Sequence, residues 1–530
     1  MAGLVGYGAY IPYFRLRRSE IAAALGERGG KGSRAVASYD EDATSMGVEA
    51  ARIALRPLPA EARPQRIYFA TASPPYLDKT NATVIHAALD LPASALAVDM
   101  AGSVRSGVGA ILTAADSPVP ALAVLADVRT GLAGGADERD GGDGAAALLF
   151  GGAPGASGRS PGTPGGTGVS PAAPDPGTPV LAEMVASASA TDEFLDRWRL
   201  PGATASRVWE ERFGEHVYGP LADAAFADAL KQAAMTPGDV DHLVVAGLPA
   251  RAVRRFATTS GVRPDAVAND LSAAIGNAGT AQAGILLADV LDRATPDQTI
   301  VVVILSDGVT ALVLRTTEAI AAHTPAKPVA TQIAACRDDL RYTQFLSWRG
   351  ALQKEPPRRP DPVPPAAPPA HRSTRYKFGF VGSRCEACGA VHLPPVRVCM
   401  SCHAVDRMAD APMADVPATV ATYTIDRLAF TPSPPMVAAV VDFDGGGRFK
   451  CQLTDVDAAS VAIGDRVEPT FRKMMTAAGV HNYFWKVRPV AGRSAVEKAG
   501  PDQAPSKKAP SKEAPSKDAP AEQAPSEEVA

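Results

Sequence analysis

Apolar positions along the chain fall into short continuous runs separated by small-residue and polar stretches. Ile67–Ser73 (IYFATAS), Ala121–Val128 (ALAVLADV), Leu243–Pro249 (LVVAGLP) and Thr299–Ser306 (TIVVVILS) have strand length and no polar alternation, the pattern of strands covered on both faces. Small-residue helix candidates lie between them: GVGAILTAAD after Gly102-Ser103, and GTAQAGILLAD after Gly276-Asn277. The same four features recur in one order, namely an apolar strand, a Gly-polar turn opening a helix, a second apolar strand, and a Gly-rich strand start (GDGAAALLF at Gly142, SDGVTALVL at Ser306). The first three pairs lie about 176 residues apart, with the last somewhat closer. Apolar strands alternating with helices predict an α/β fold with helices on the sheet faces, built as two pseudosymmetrically stacked halves.

Breaks in composition set the expected boundaries. Gly152–Pro179 has almost no large apolar side chain and is expected to be a mobile excursion within a domain. Tyr342–Leu352 (YTQFLSWRGAL) is a short aromatic helix candidate, and Glu355–Pro369 after it reads as a stiff polyproline spacer. Beyond it, ATVATYTIDRLAF, MVAAVVDFDGGGRFKCQLTDVD, VAIGDRVEPTFRKM and NYFWKVRPV are short strand patterns with Gly-rich turns, which predict a small barrel. From about Ala491 a five-residue repeat (APSKK, APSKE, APSKD, APAEQ, APSEE) predicts a disordered tail. The expected division is 1–335 with the insertion 152–179, a helix and linker 336–375, a cysteine-rich segment 376–406, a barrel 407–490 and a tail 491–530.

Charge and length exclude several functions. With 530 residues, 46% apolar and a net charge of −4, the chain is long enough for more than one core and has no overall pull toward nucleic acid. Apolar runs such as Ile300–Leu305 are too short to span a membrane, and no basic segment precedes an apolar one at the N-terminus, so a soluble, cytoplasmic protein is expected. Four of the six cysteines crowd into Cys385-x2-Cys388-x10-Cys399-x2-Cys402. Two such knuckles can place four thiolates about one Zn²⁺ with no open position, so the site is expected to be structural, with His392 and His403 as bystanders.

The opening GLVGYGAYIPYFRLRRSEIAAALG, the segment YDEDATSMGVEAAR and the duplicated Gly-turn helices resemble the thiolase superfamily, nearest to hydroxymethylglutaryl-CoA synthases, over about Met1–Thr317. The cysteine-rich segment with FDGGGRF, LTDVD and YFWKVRP resembles the zinc ribbon and OB fold that accompany thiolase-like proteins. Together they imply a duplicated αβαβα domain followed by a zinc ribbon and an OB-fold barrel, acting on an acyl-CoA thioester. A ribbon beside an OB fold could instead bind single strands, but residues 376–490 carry 12 Lys/Arg against 11 Asp/Glu, too neutral for a groove that tracks a phosphate backbone.

In that family a cysteine nucleophile, a glutamate acid/base and a histidine perform the chemistry. At the matching positions this chain has Ser103, Ala72 and Gly247, the last preceding Leu248-Pro249. No cysteine occurs before Cys336, and no glutamate lies between Arg63 and Asp137. Asn277 matches an asparagine that helps hold the reacting carbonyl, or serves as a helix N-cap. Backbone N–H groups at Ser103 and near Gly308 are candidates for an oxyanion pocket. Tyr218, Glu210, Glu211 and His216 are candidate replacements for the missing acid/base groups, or a charged helix face. Two functions are expected: carbon–carbon bond formation or cleavage on a CoA thioester without an acyl-enzyme, of aldolase or synthase type, or a non-catalytic acyl-CoA-binding subunit of an active thiolase. A homodimer, or a complex with a thiolase, is the expected assembly.

Overall fold

Nine strands frame the N-terminal region of the computed structural model, which describes residues 1–59, 62–152, 178–355, 358 and 362–490. The expected mobile insertion, apart from its ends, and the expected disordered tail both lie outside the described residues. The first half comprises β1 (Gly3–Tyr10), β2 (Arg66–Thr71), β3 (Leu96–Ala101), β4 (Ala121–Asp127) and β5 (Gly144–Gly151). The second comprises β6 (Ala182–Ala190), β7 (His242–Gly247), β8 (Thr299–Leu305) and β9 (Val309–Thr316). Their orders are β1-β5-β4-β2-β3 and β6-β9-β8-β7, joined through the single pair Leu4–Ala182. Each pairing in one half has its counterpart in the other. The pairs β1–β5 and β6–β9 are antiparallel, as are β5–β4 and β9–β8, whereas β4–β2 and β8–β7 are parallel. Among the described residues, only β3 lacks a full counterpart, because Pro264–Ala266 forms a 3-10 turn and leaves a single parallel bridge from Val267 to Leu243.

Side-chain alternation sorts the layers. On β8, Ile300, Val302 and Ile304 face one way and pack with α2 (Ser106–Ala115) and α4 (Gln282–Leu291), while Val301, Val303 and Leu305 face the outer helix α3 (Glu211–Gln232). The first sheet does the same, with α1 (Ala43–Leu55) on its outer face. The result is the αβαβα order, with α2 and α4 as the middle layer. Helix α1 is buried along its whole length and begins with a capping box, the Asp42 carboxylate accepting from Ser45 N–H and the Ser45 hydroxyl accepting from Asp42 N–H. It runs so close to β1 that a Cβ on Gly8 would lie 2.6 Å from Ala54 N.

Past the N-terminal region, the Tyr342–Trp348 helix buries Tyr342 and Phe345 against Phe14, Leu16, Ile21 and Val36. Of the Pro-rich stretch 355–369, residues 362–366 form no helix or strand, and only the last three open a helix. Residues 356, 357 and 359–361 lie outside the described set, and Ala367–Arg372 is helical, because Pro368 and Pro369 occupy the first turn, where no N–H is needed. Val381–Cys385 pairs with Val391–His392 and with Met408–Pro412, so the ribbon sheet runs through residue 412. The barrel closes in the order β10-β11-β12-β14-β13, with β10 Ala418–Asp426, β11 Met436–Phe443, β12 Arg448–Leu453, β13 Arg466–Ala477 and β14 Val480–Pro489.

The barrel docks on α1 through buried charge. Arg472 on β13 is 2.7 Å from Glu41, 3.5 Å from Asp40 and in contact with Asp455. On β14, Lys486 is 2.7 Å from Asp40, and Arg488 is 2.7 Å from Glu49 and 2.9 Å from Glu468. Arg52 pairs with Glu49 at 2.7 Å, donates to the Pro469 carbonyl, and lies over the Trp485 ring. Burial alone would raise the Asp40 and Glu49 carboxyls, but the neighbouring cations overcome it and leave both at about 2. Glu41 goes the other way, raised to about 7 by burial, with Asp455 and Asp40 adding to it against Arg472.

Asp40 and Glu49 bind protons in the unfolded chain near pH 4 that they refuse in the folded one. Their stabilisation is therefore complete above about pH 4.5 and drains away toward pH 2, each contributing on the order of 2 to 3 kcal/mol. Glu41 contributes with opposite sign, favouring the folded state below about pH 4.5 and losing that advantage as pH rises to about 7. Urea unfolding followed by tryptophan fluorescence should show a steep loss of stability between pH 4.5 and 2.5, with the midpoint of Asp40→Asn less pH-dependent there than that of the parent.

Candidate functional site

The carboxyl ends of β2, β4 and β8 meet the lead-in turns of α2 and α4, the place where an open α/β sheet leaves a crevice. Asp127, the last residue of β4 and fully buried, organises the junction. Its Oδ1 accepts from Ala72 N–H at 2.7 Å and from the Thr71 hydroxyl at 3.0 Å, and its Oδ2 accepts from Thr280 N–H at 2.7 Å in the other half. The turn it holds requires glycine: Gly279 has φ +58°, and a Cβ there would sit 2.4 Å from Oδ2. A lone aspartate ending an apolar run (ALAVLAD) was the one sequence signal for this hub.

A cavity of about 970 Å³ opens beside it. Ser103, Ala72 and Leu248-Pro249, three widely separated places singled out in the sequence, all line it. Among the described lining residues there is no cysteine, histidine or glutamate. The ionisable side chains present are Asp127, Asp196 and Asp307, the arginines 129, 197 and 199, and the phenol of Tyr218. Ser103 sits three residues ahead of α2, exposed to the cavity, and its hydroxyl makes no hydrogen bond among the described residues.

Tyr218, in the first half of α3, is buried, and its oxygen accepts from Asp307 N–H at 3.0 Å. Burial pushes the phenol above its ordinary range, so it stays protonated, with its own O–H free to donate. The other candidates on this segment fall elsewhere: Glu210 and His216 are exposed and do not line the cavity, and the Glu211 side chain lies outside the described residues.

Asn277 and Gly308 are also absent from the lining. The Asn277 amide is spent on backbone, donating to the Gly247 carbonyl at 2.7 Å and accepting from Gly279 N–H at 2.9 Å, so it fixes the turn. Ser306 and Asp307, beside Gly308, do line the cavity, and the Asp307 N–H is taken by the Tyr218 oxygen. The Cβ position of Gly308 is 3.2 Å from Arg105 Nη1, and Arg105 donates to the Ser306 carbonyl at 3.1 Å. Asp196 and Arg105 were missed in the sequence because nothing in their spacing marks them.

In the ribbon, the four cysteine sulfurs lie within 4.8 Å of one another, with 3.6 Å for Cys385–Cys402 and for Cys388–Cys399. A tetrahedral Zn²⁺ ~2.3 Å from each sulfur sets them about 3.8 Å apart, whereas a disulfide needs about 2.05 Å. The N–H groups of Ser401 and Cys402 point at Cys399 Sγ, as they would toward a thiolate. The tetrad therefore fits zinc, and among the described residues His392 and His403 are not part of it.

Different parts of this chain are similar to different known proteins. Residues 378–406 match the family described as ChsH2, rubredoxin-like zinc ribbon domain, and residues 412–472 match ChsH2, C-terminal OB-fold domain. The N-terminal region is similar to hydroxymethylglutaryl-CoA synthases. That of Methanopyrus kandleri is 28% identical over 317 residues, covering 58% of this chain and 84% of the relative. That of Pyrobaculum neutrophilum is 29% identical, covering 66% and 98%. Among solved structures, MvaS in complex with 3-hydroxy-3-methylglutaryl coenzyme A superposes with a TM-score of 0.54 at 18% identity, covering 69% of this chain and 94% of that one. PksG, a synthase from Bacillus subtilis, superposes with a TM-score of 0.53 at 16% identity, covering 66% and 88%. The chain thus joins a thiolase-type, hydroxymethylglutaryl-CoA synthase-like region to ChsH2-type zinc ribbon and OB-fold domains.

Elemental analysis of the purified protein should find one zinc per chain. Cys399→Ser should lower that content and the melting temperature together, while Cys451→Ser, in the barrel, should leave the metal in place.

Proposed function

We propose that the large cavity binds an acyl-CoA thioester and that the protein forms or cleaves a carbon–carbon bond on it without a covalent acyl-enzyme. The observation that carries this reading is the lining. A thioester pocket of this fold without cysteine, histidine or glutamate, but with a protonated phenol, can hold an enolate oxygen and cannot run thiolate acyl transfer. The CoA assignment is supported by relatives named hydroxymethylglutaryl-CoA synthase and by neighbours bound to 3-hydroxy-3-methylglutaryl coenzyme A or to CoA. Ser103 stands at the nucleophile position as a polar wall, Tyr218 is the donor to the carbonyl, and Asn277 and Gly308 shape the turns behind them. The four-thiolate ribbon suits a reducing compartment, which favours the cytoplasm.

A second reading, a subunit that binds acyl-CoA and docks a second chain, is favoured by β3. This strand ends the sheet order, and Leu96 and Val98 on it are exposed. Extension of the sheet across β3, into a homodimer or onto an active thiolase, is compatible with either function.

Incubation with 3-hydroxyacyl-CoA substrates, including 3-hydroxy-3-methylglutaryl-CoA, should release a shorter acyl-CoA and a carbonyl product, with no acyl adduct in the intact mass. Tyr218→Phe should slow this by roughly 100-fold. A competent acyl ester on Ser103 would refute the non-covalent mechanism, and binding without turnover, alone or with a thiolase, would select the subunit reading. In gel filtration the protein should run as a dimer, and Val98→Lys should shift it to monomer.

A further inference from the structure

One carboxylate in the cavity stands apart from the other buried acids. Asp127 is held by backbone and hydroxyl donors, and Asp143 by Arg34, Arg349 and two backbone amides. Asp196 is 8% exposed and lines the cavity, yet its carboxylate makes no hydrogen bond or ion pair among the described residues. Its main chain is fixed, the carbonyl accepting from Trp209 N–H at 2.8 Å, and α3 makes room for it at Gly214, where a Cβ would lie 2.8 Å from Oδ1. The residue is largely covered, but its carboxylate opens onto the cavity, and an acid so placed is positioned to exchange a proton with whatever the cavity holds. Tyr218 belongs to the same wall, its oxygen occupied by Asp307 N–H and its proton unused. Asp307 itself is exposed.

We propose that Asp196 is the proton carrier of the carbon–carbon step and that Tyr218 holds the enolate oxygen. This rests on the CoA thioester reading above. In the cleavage direction the Asp196 carboxylate takes the proton of the substrate's β-hydroxyl. The Cα–Cβ bond breaks, its electron pair passes into the thioester enolate, and Cβ becomes a carbonyl. Tyr218 O–H donates to the enolate oxygen throughout and keeps its proton. The Asp196 carboxylic acid then gives the same proton to Cα, which restores the carboxylate. Burial, with Asp307 adding to it against Arg197, raises this carboxyl and suits it to both halves of the transfer.

The test needs no knowledge of the acyl group. Acetyl-CoA and butyryl-CoA are incubated with the full-length protein in D₂O, α-proton exchange is followed by NMR, and binding is measured by calorimetry. The parent should exchange the α-protons at a rate that rises with pH as the carboxylate forms. Asp196→Asn should bind with similar affinity, exchange at least about 100-fold more slowly, and lose the pH dependence. Asp196→Glu should recover part of the rate, which separates a lost base from a lost fold. Tyr218→Phe should be slow but keep the pH dependence. Binding without exchange by the parent, or exchange unchanged in Asp196→Asn, overturns the assignment of Asp196 and leaves the thioester reading standing. Failure of either thioester to bind overturns that reading, and this inference with it.

Discussion

Everything in the arrangement of domains depends on a set of charges removed from water between α1 and the barrel. Asp40, Glu41 and Glu49 are carried by the N-terminal region, and Arg472, Lys486 and Arg488 by β13 and β14. Neither set could be buried alone, since an isolated ion in a protein interior costs several kcal/mol. Docked together they satisfy one another, and hydrogen bonds such as Phe471 N–H to Glu49 and Tyr483 O–H to Asp42 take up further lone pairs. A pair of this kind adds little net stability over apolar packing but punishes misalignment, because a shifted barrel would strand several charges at once. The barrel is thus a fitted wall over the outer helix of the first half. It covers a helix that would otherwise expose the far side of an apolar surface.

The site is set by the same economy of placement at a smaller scale. Asp127 joins the two halves through the lead-in to α4, and Asn277 joins the end of β7 to the same turn. These contacts fix the backbone around the cavity, whose lining includes Ser103, Asp196, Tyr218 and Asp307. Duplication supplied the two halves, and among the described residues the second has no fifth strand after β7.

The duplication was legible from the sequence because buried strands write themselves as apolar runs, and four features in fixed order leave few alternatives. The four cysteines were legible because metal geometry demands their spacing. Less could be read from Asp40, Glu41 and Asp42, which look like a helix cap preceded by acids; their cationic partners on β13 and β14 lie more than 400 residues away, and no local pattern records that distance. Asn277 and Gly308 were singled out from the sequence, but whether a group meets the cavity or the backbone behind it depends on the turn, and neither residue lines the cavity. Asp196 lies in a stretch without periodicity, and only the fold brings it to the cavity, with no hydrogen-bond or ion-pair partner among the described residues. At Pro368 and Pro369 the sequence is ambiguous, because the same residue that stiffens a spacer also starts a helix.

The asymmetry between the two halves limits how copies of this chain can aggregate. One end of the strand series offers free backbone groups along β3. At the other end, the segment ending in Val267 caps part of β7, and Asn277 occupies the Gly247 carbonyl. A molecule with a single adhesive border can extend its sheet to one neighbour only, whereas two open borders would allow open-ended stacking.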